Sequence, residues 1–104
     1  MRVIYLPLFR NALNIIASNG QELYSQGQIR KLLTDIRKLR SDLPLNSHLG
    51  QREPILEGFK LEYRRIVIRP YFKIIYTIKG NLIYFVDIWD TRRDPNNLKS
   101  RIST

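Results

Sequence analysis

The stretch LEYRRIVIRPYFKIIYTIKGNLIYFVDIW, residues 61–89, decides the fold. It contains three runs of β-branched and aromatic residues, which are separated by Pro70 and by the pair Gly80-Asn81. Runs of this kind, bounded by turn residues, predict β-strands, and Gly-Asn between two of them predicts a two-residue hairpin loop. The segment therefore predicts a meander of three antiparallel strands.

The hairpin loop also predicts a register, because a two-residue loop makes the residues that flank it partners. Lys79 then faces Leu82, and Lys73 faces Ile88. One side of the hairpin is heavily apolar and is predicted to meet the helices: Phe72, Ile74, Tyr76, Ile78, Ile83, Phe85, Asp87 and Trp89. The other side is mixed enough to face water or a ligand, and its open end carries Tyr71, Lys73 and Asp90.

One strand and two helices are predicted before the meander. Residues 1–6 include the β-branched pair Val3-Ile4 and end at Pro7, which predicts a first strand. Apolar residues then recur at helical spacing from Leu8 to the turn at residues 18–20. A second helix begins where Ser25 and Gln28 match a capping box, and it ends at Pro44.

These elements predict an α+β fold in which two N-terminal helices pack on one face of a mostly antiparallel four-stranded sheet. The order along the chain is strand, helix, helix, strand, strand, strand. Asp94-Pro95 predicts a further short helix through Lys99. Residues 44–60, rich in proline and glycine, form a connection longer than usual and hence a candidate functional loop.

Length and composition limit the possible functions. A chain of 104 residues predicts a single domain, residues 1–104. Without cysteine and with one histidine, we expect no disulfide, no metal site and no cofactor. No apolar run approaches the roughly 20 residues of a membrane span, so we expect a cytoplasmic protein.

The net charge of +9 favours a polyanionic partner. Most of the excess lies in two segments, residues 25–43 and 61–79. In the second helix, the cations lie opposite the apolar stripe: Arg30, Lys31, Arg37 and Lys38. Either a solvated face or a binding surface explains them, and we favour the solvated face.

Three features of residues 61–95 occur together: a basic strand, Tyr71-Phe72-Lys73-Ile74-Ile75-Tyr76, and Trp89-Asp90-Thr91-Arg92-Arg93-Asp94-Pro95. The combination resembles the carboxy-terminal half of the RelE/ParE superfamily of toxins from bacterial type II toxin–antitoxin modules. The second feature stands in the place of the family's Y-R-I-I-Y strand, and the third in the place of its H-x-R-R-D-P ending. The resemblance implies the same order of strands and helices.

The resemblance also implies a function and partners. Members divide between ribosome-associated endoribonucleases, which cut mRNA without a metal, and inhibitors that act on DNA gyrase by binding. We expect an mRNA endoribonuclease, with a ParE-like gyrase inhibitor as the alternative. A cognate antitoxin, acidic or amphipathic, is implied in both cases. A third possibility, based on charge alone, is a nucleic-acid-binding domain without toxicity.

The resemblance implies candidate catalytic residues at positions that match the family's pattern. They are Lys73, Arg65, Arg92 and Asp90. RNA cleavage without metal needs a base for the 2′-hydroxyl, cations for the phosphorane, and an acid for the leaving oxygen. The cations would converge on the phosphate. Asp90 stands where many relatives have histidine, and an ordinary aspartate can serve only as a base or as the partner of Arg92.

Further residues are candidates for nucleic-acid binding: Arg64, Arg69, Tyr71 and Arg93, with Tyr71 able to stack on a base. His48 is interpreted as a surface residue. Glu53 and Glu57 are predicted to be solvated, with a role as a base at the open face as the less favoured alternative. Asp87 is predicted either to be buried against an arginine from the helices or to lie at the rim of the core, while Phe85 and Trp89 are predicted to be core residues facing the helices.

Overall fold

In the computed structural model, which describes residues 1–102 apart from the side chain of Gln21, the chain forms an α+β fold. The elements are β1 (Arg2–Tyr5), α1 (Pro7–Asn19), α2 (Gln26–Asp42), β2 (Gln51–Arg52), β3 (Tyr63–Ile68), β4 (Phe72–Lys79), β5 (Leu82–Asp90) and α3 (Pro95–Arg101). The fold class and the element order are confirmed. The predicted count of four strands is wrong, because β2 in the long loop pairs with β3 and gives a sheet of five strands.

The sheet has the strand order β1-β5-β4-β3-β2. All pairs are antiparallel except β1 with β5, which run parallel, so the first strand lies beside the last. Among the helices of residues 1–102, none is long and apolar enough to cross a membrane.

Local signals explain where the helices begin. Pro7 occupies the first turn of α1, where its missing N–H costs nothing. At α2 the predicted capping box is present: Ser25 Oγ accepts from the Gln28 N–H, and the Gln28 side chain accepts from the Ser25 N–H. Asp94 caps α3 by accepting from the Asn96 N–H.

The hairpin register changes partway along the strands. Near the loop the prediction is confirmed, since Lys79 pairs with Leu82 and Gly80 takes the positive φ of +60°. Beyond Ile75/Tyr76 the register shifts by one, so Lys73 pairs with Trp89 and the prediction of Ile88 as its partner is wrong. The extra residue forms a β-bulge in β5. Every later residue of that strand therefore points to the face opposite to the one that the two-residue loop predicts.

The bulge determines which layer each end of β5 joins. Phe85 and Ile88 pack with α1 and α2 in the larger core. Val86 and Trp89 pack on the opposite face with Leu98 of α3. The predictions that Asp87 and Trp89 face the two N-terminal helices, and that Ile88 and Asp90 lie on the open side, are therefore wrong, although the burial of Phe85 and Trp89 is confirmed.

The long loop is tied to the core through the Tyr76 hydroxyl. This hydroxyl donates to the Ser47 carbonyl and accepts from the Gly50 N–H, both at 2.9 Å. The Gly50 carbonyl accepts from Arg64 Nη1 at 2.7 Å. A Cβ atom at position 50 would lie 2.5 Å from the Arg65 carbonyl oxygen and 2.7 Å from the Tyr76 ring, so the loop can approach the sheet only with glycine there.

We predict that Gly50→Ala lowers the free energy of unfolding by about 2–4 kcal/mol, because the added methyl meets backbone that cannot move aside. Gly27→Ala in α2 is the matched control. A Cβ there has only Ser25 Oγ nearby, at 3.9 Å, and alanine is the better helix former, so we expect a gain of up to about 1 kcal/mol. Urea denaturation of both variants measures the difference, and equal effects of the two substitutions would contradict the assignment.

Candidate functional site

Glu53 lies at the centre of a cluster of charged residues on the α3 side of the sheet. Its side chain is only 3% exposed, and it forms ion pairs with Lys73 of β4 and, at 3.6 Å, with Arg65 of β3. It also accepts from the Ile55 N–H at 3.2 Å, as the cap of the single-turn helix Pro54–Leu56. The prediction that Glu53 is solvated is wrong, and the less favoured alternative, in which it reaches this face, is the observed arrangement.

Asp90 is the centre of a second cluster, at the end of β5. Arg92 donates to the Asp90 carboxylate through Nε and Nη2, at 3.1 and 2.9 Å, and the Tyr24 hydroxyl donates to it at 2.6 Å. The Arg92 guanidinium also lies 3.7 Å from the centroid of the Tyr71 ring. Tyr24 and Tyr71, which come from distant parts of the chain, thus hold the Asp90–Arg92 pair in place.

These contacts set the protonation states of the second cluster. Burial acts to raise the pKa of Asp90, but hydrogen bonds from Arg92 and Tyr24 outweigh it and lower that pKa to about 2. Burial and the adjacent Asp90 carboxylate raise the pKa of Tyr24 to about 12. Near neutral pH, therefore, Asp90 is a carboxylate and Tyr24 is a neutral phenol.

The four candidate catalytic residues do not form one site. Lys73 and Arg65 meet at Glu53, whereas Arg92 and Asp90 form the second cluster with Tyr24, which packs in the core on the helix side. The predicted convergence of the three cations on one phosphate is wrong. The cause is the bulge in β5, which reverses the alternation of side chains and so places Asp90 on the helix side.

The residues predicted to bind nucleic acid are likewise distributed over both faces. Arg64 lies on the helix side and pairs with Glu62 at 3.0 Å, while Arg69 is exposed in the turn between β3 and β4. Arg93 lies over the Trp89 ring, with 4.3 Å from its Cζ to the ring centroid. Tyr71, covered on one side by Arg92, offers less surface for stacking than the sequence suggested.

Asp87 is the remaining buried carboxylate. It is fully buried, and Arg101 of α3 donates to it through Nε at 2.9 Å and Nη2 at 2.8 Å. Burial raises the pKa of Asp87, and the hydrogen bonds from Arg101 oppose that rise. The predicted arginine partner is present, but it comes from α3, on the face opposite to the two N-terminal helices, and it fastens α3 to the sheet.

The other two side chains that the sequence analysis considered as acids or bases, His48 and Glu57, are both exposed. His48, the only histidine of the chain, is exposed beside Ser47, as predicted. Glu57 is exposed in the loop. Within residues 1–102, no group of three or more His, Cys, Asp or Glu side chains is arranged to hold a metal ion.

Sequence reasoning missed Tyr24 and Arg101 entirely and undervalued Glu53. Tyr24 directly precedes the capping serine of α2, and nothing in the neighbouring sequence links it to Asp90, which lies 66 residues later. Glu53 precedes Pro54, which predicted a turn but not that the turn folds back over β3 and β4. The contacts of both residues depend on how distant parts of the chain meet, and no spacing in the sequence indicates them.

Comparison with known proteins agrees with this architecture. Residues 3–95 match the model of the family described as ParE toxin of type II toxin-antitoxin system, parDE. Because this match spans most of the chain, the protein belongs to the ParE toxin family of type II toxin–antitoxin systems. No curated protein sequence matches the chain significantly.

Solved structures share the fold at low sequence identity. The chromosomal ParDE toxin–antitoxin system from P. aeruginosa includes a chain that is 18% identical, with a TM-score of 0.63; the match covers 86% of this chain and 95% of that one. A chain of the E. coli DinJ–YafQ complex is 17% identical, with a TM-score of 0.52 and coverage of 88% and 96%. YafQ from E. coli strain BL21(DE3) is 18% identical, with a TM-score of 0.51 and the same coverage.

We predict that Glu53→Gln lowers the free energy of unfolding by about 2–4 kcal/mol, because Lys73 and Arg65 lose a buried counter-charge. Glu57→Gln is the matched control in the same loop, and since Glu57 is exposed we expect a change within about 0.5 kcal/mol. Urea denaturation at neutral pH measures both values. A Glu53→Gln protein as stable as the control would show that the ion pairs contribute nothing to folding.

The lowered pKa of Asp90 predicts an acid-dependent loss of stability. A carboxyl group whose pKa falls from 3.8 to about 2 on folding stabilises the fold above about pH 4, and this contribution disappears as the pH falls through about 2. The difference in the free energy of unfolding between wild type and Asp90→Asn is therefore expected to be constant from about pH 7 to 5 and to shrink below about pH 4. Urea denaturation across this range tests it, and a difference independent of pH contradicts it.

Proposed function

We propose that this toxin acts by binding DNA gyrase and does not cut RNA. The observation that carries the proposal is the pairing of the candidate catalytic cations with carboxylates of the same chain. Lys73 and Arg65 are paired with Glu53, and Arg92 is paired with Asp90. A cation that already holds a buried carboxylate has to break that pair before it can stabilise a phosphorane.

The proton-transfer groups support the same conclusion. The leaving 5′-oxygen needs an acid, and the best acids near neutral pH have a pKa close to it. With its pKa lowered to about 2, Asp90 carries no proton to give near neutral pH, and the pKa of Tyr24, raised to about 12, lies far above the neutral optimum for a general acid. The ParE-like members of the superfamily that the sequence resembles act on gyrase by binding, which requires neither group.

The second candidate function is mRNA cleavage on the ribosome, and one observation favours it. Glu53, Lys73 and Arg65 bring a carboxylate and two cations together on one face of the sheet. A carboxylate can accept the 2′-hydroxyl proton, and two cations can stabilise the developing charge, so this cluster would serve two of the three tasks. The missing acid is the reason for placing this function second.

The partner in both cases is an antitoxin. The similar chains come from the ParDE and DinJ–YafQ toxin–antitoxin systems. With a net charge of +9, this chain favours an acidic or amphipathic segment that complements its cationic surface. Gyrase and the ribosome would both be met in the cytoplasm.

Purified toxin tests the proposal in two parallel assays. With gyrase and relaxed plasmid, we expect loss of supercoiling and accumulation of linear DNA after protein removal. With ribosomes and a labelled mRNA, we expect the message to remain intact.

Two variants distinguish the candidate functions. Lys73→Ala and Arg92→Ala each remove one candidate catalytic cation, one from each cluster. Cleavage of mRNA by the wild type that is lost in Lys73→Ala would overturn the proposal in favour of the second candidate. Normal supercoiling at excess toxin would overturn it even without RNA cleavage.

A further inference from the structure

Ion pairs divide the cations on the outer face of α2 into two groups. On one flank, Lys31 pairs with Asp35 at 2.6 Å and Lys38 pairs with Asp42 at 2.8 Å. The other flank carries Arg30, Arg37 and Arg40, all exposed, and no carboxylate among residues 1–102 lies within 4.0 Å of them. The free positive charge of the helix is thus concentrated on one flank.

This flank continues across α1 and β1. Arg30 and Arg37 are seven residues apart and Arg40 follows three later, so the three side chains form one row along the helix. The Cζ atom of Arg40 lies 4.8 Å from the Tyr5 ring centroid. Arg10 of α1 reaches the same ring, at 5.9 Å, and donates from Nε to the Tyr5 carbonyl at 3.3 Å. We name these four arginines the helix-side arginine patch.

We infer that the helix-side arginine patch binds the sugar–phosphate backbone of duplex nucleic acid. Guanidinium groups bind phosphate through two parallel hydrogen bonds and always carry their charge. In this protein the arginines of the candidate site are occupied by carboxylates, whereas those of the patch are not. The guanidinium groups of the patch are therefore available to bind phosphate without first breaking an ion pair.

The composition of the patch favours a nucleic-acid backbone over an acidic peptide. A peptide interface needs apolar anchors at its centre. The exposed large hydrophobic residues all lie outside the row of arginines: Met1, Ile15, Leu23, Leu45, Leu49, Leu61 and Val67. Ile15 of α1, for example, is five residues from Arg10 and hence on a different side of that helix.

The same surface favours a duplex over a single strand. Single strands bind by stacking their bases on exposed aromatic rings. The aromatic residue of the patch is Tyr5, and its ring lies between Arg40 on one side and Phe85 and Phe9 on the other, at 5.4 and 4.8 Å between centroids. No face of Tyr5 is open to a base, so the contacts available are those to phosphates.

The inference goes beyond the proposed function and does not depend on it. The patch lies on the helix side, and the cluster around Glu53 lies on the α3 side, so the two surfaces can be tested separately. Binding to DNA is measured without gyrase or ribosomes. Failure of the gyrase proposal leaves this result unchanged, and the reverse also holds.

The test is fluorescence anisotropy of a labelled duplex DNA of mixed sequence, titrated with the full chain from about 50 to 200 mM salt. The test variant is Arg30→Ala/Arg37→Ala, whose side chains are exposed. The matched control is Lys60→Ala/Lys99→Ala, which also removes two exposed cations without a carboxylate within 4.0 Å, but from the α3 side. Thermal unfolding verifies that both variants are folded.

We expect wild-type affinity to fall steeply with salt. The test variant is expected to bind about tenfold or more weakly, and its salt slope is expected to fall by nearly 2, because each phosphate contact contributes about 0.9. The control is expected to stay within about twofold of wild type. Equal losses in the two variants would overturn the inference, because the effect would then be one of net charge.

Three further probes test the class of partner. Duplex RNA of the same sequence, bound as tightly as the DNA, supports a backbone contact without base recognition, and tighter binding to DNA supports duplex DNA as the partner. Tighter binding of the single strand than of the duplex would overturn the inference. Equal binding of polyglutamate would overturn it as well, because the patch would then accept any polyanion.

Discussion

A single extra residue in β5 determines how this protein uses its sheet. Because the register shifts between Ile75 and Tyr76, the first half of β5 and its second half present opposite alternations. Asp87 and Trp89 lie beneath α3, and Asp90 points to the side of α1 and α2. Without the bulge, Asp87 would enter the apolar core between sheet and helices with no arginine to receive it. Both the packing of α3 on the sheet and the cluster around Asp90 therefore depend on the bulge.

The charges of the molecule are arranged according to burial. Buried carboxylates have cationic partners: Asp87 pairs with Arg101, and Glu53 pairs with Lys73. Such pairs satisfy groups that could not be buried alone, and they add little to stability beyond that. They also withdraw cations from any interaction with a partner. In a chain of net charge +9, the cations of the candidate site are consequently paired with carboxylates, whereas, within residues 1–102, those of the helix-side arginine patch are not.

The accuracy of the sequence-based predictions follows the range of the interactions involved. The capping box at Ser25, the hairpin at Gly80 and the α3 cap at Asp94 depend on residues a few positions apart, and all three are present as predicted. The bulge could not be predicted, because its position depends on which alternation lets both layers pack. The position of Glu53 over the sheet depends on the contact between Gly50 and Tyr76, which holds the loop in place. These two residues are brought together only by folding. The assignment of Asp90 to the open side failed for the same reason, whereas Lys73 lies on the predicted side.

The parallel pairing of β1 with β5 brings the first strand beside the last, since Arg2 lies beside Leu82. During synthesis β1 leaves the ribosome first, and its partner strand is made only when most of the chain already exists. Until then β1 and α1 have only part of the surface on which they pack, and pairing strands so distant in sequence is slow. A chain that stops before β5 cannot close the sheet or bury Phe85 against Phe9. An interrupted synthesis therefore yields no folded toxin, so the topology itself limits when the protein can first act on the cell that makes it.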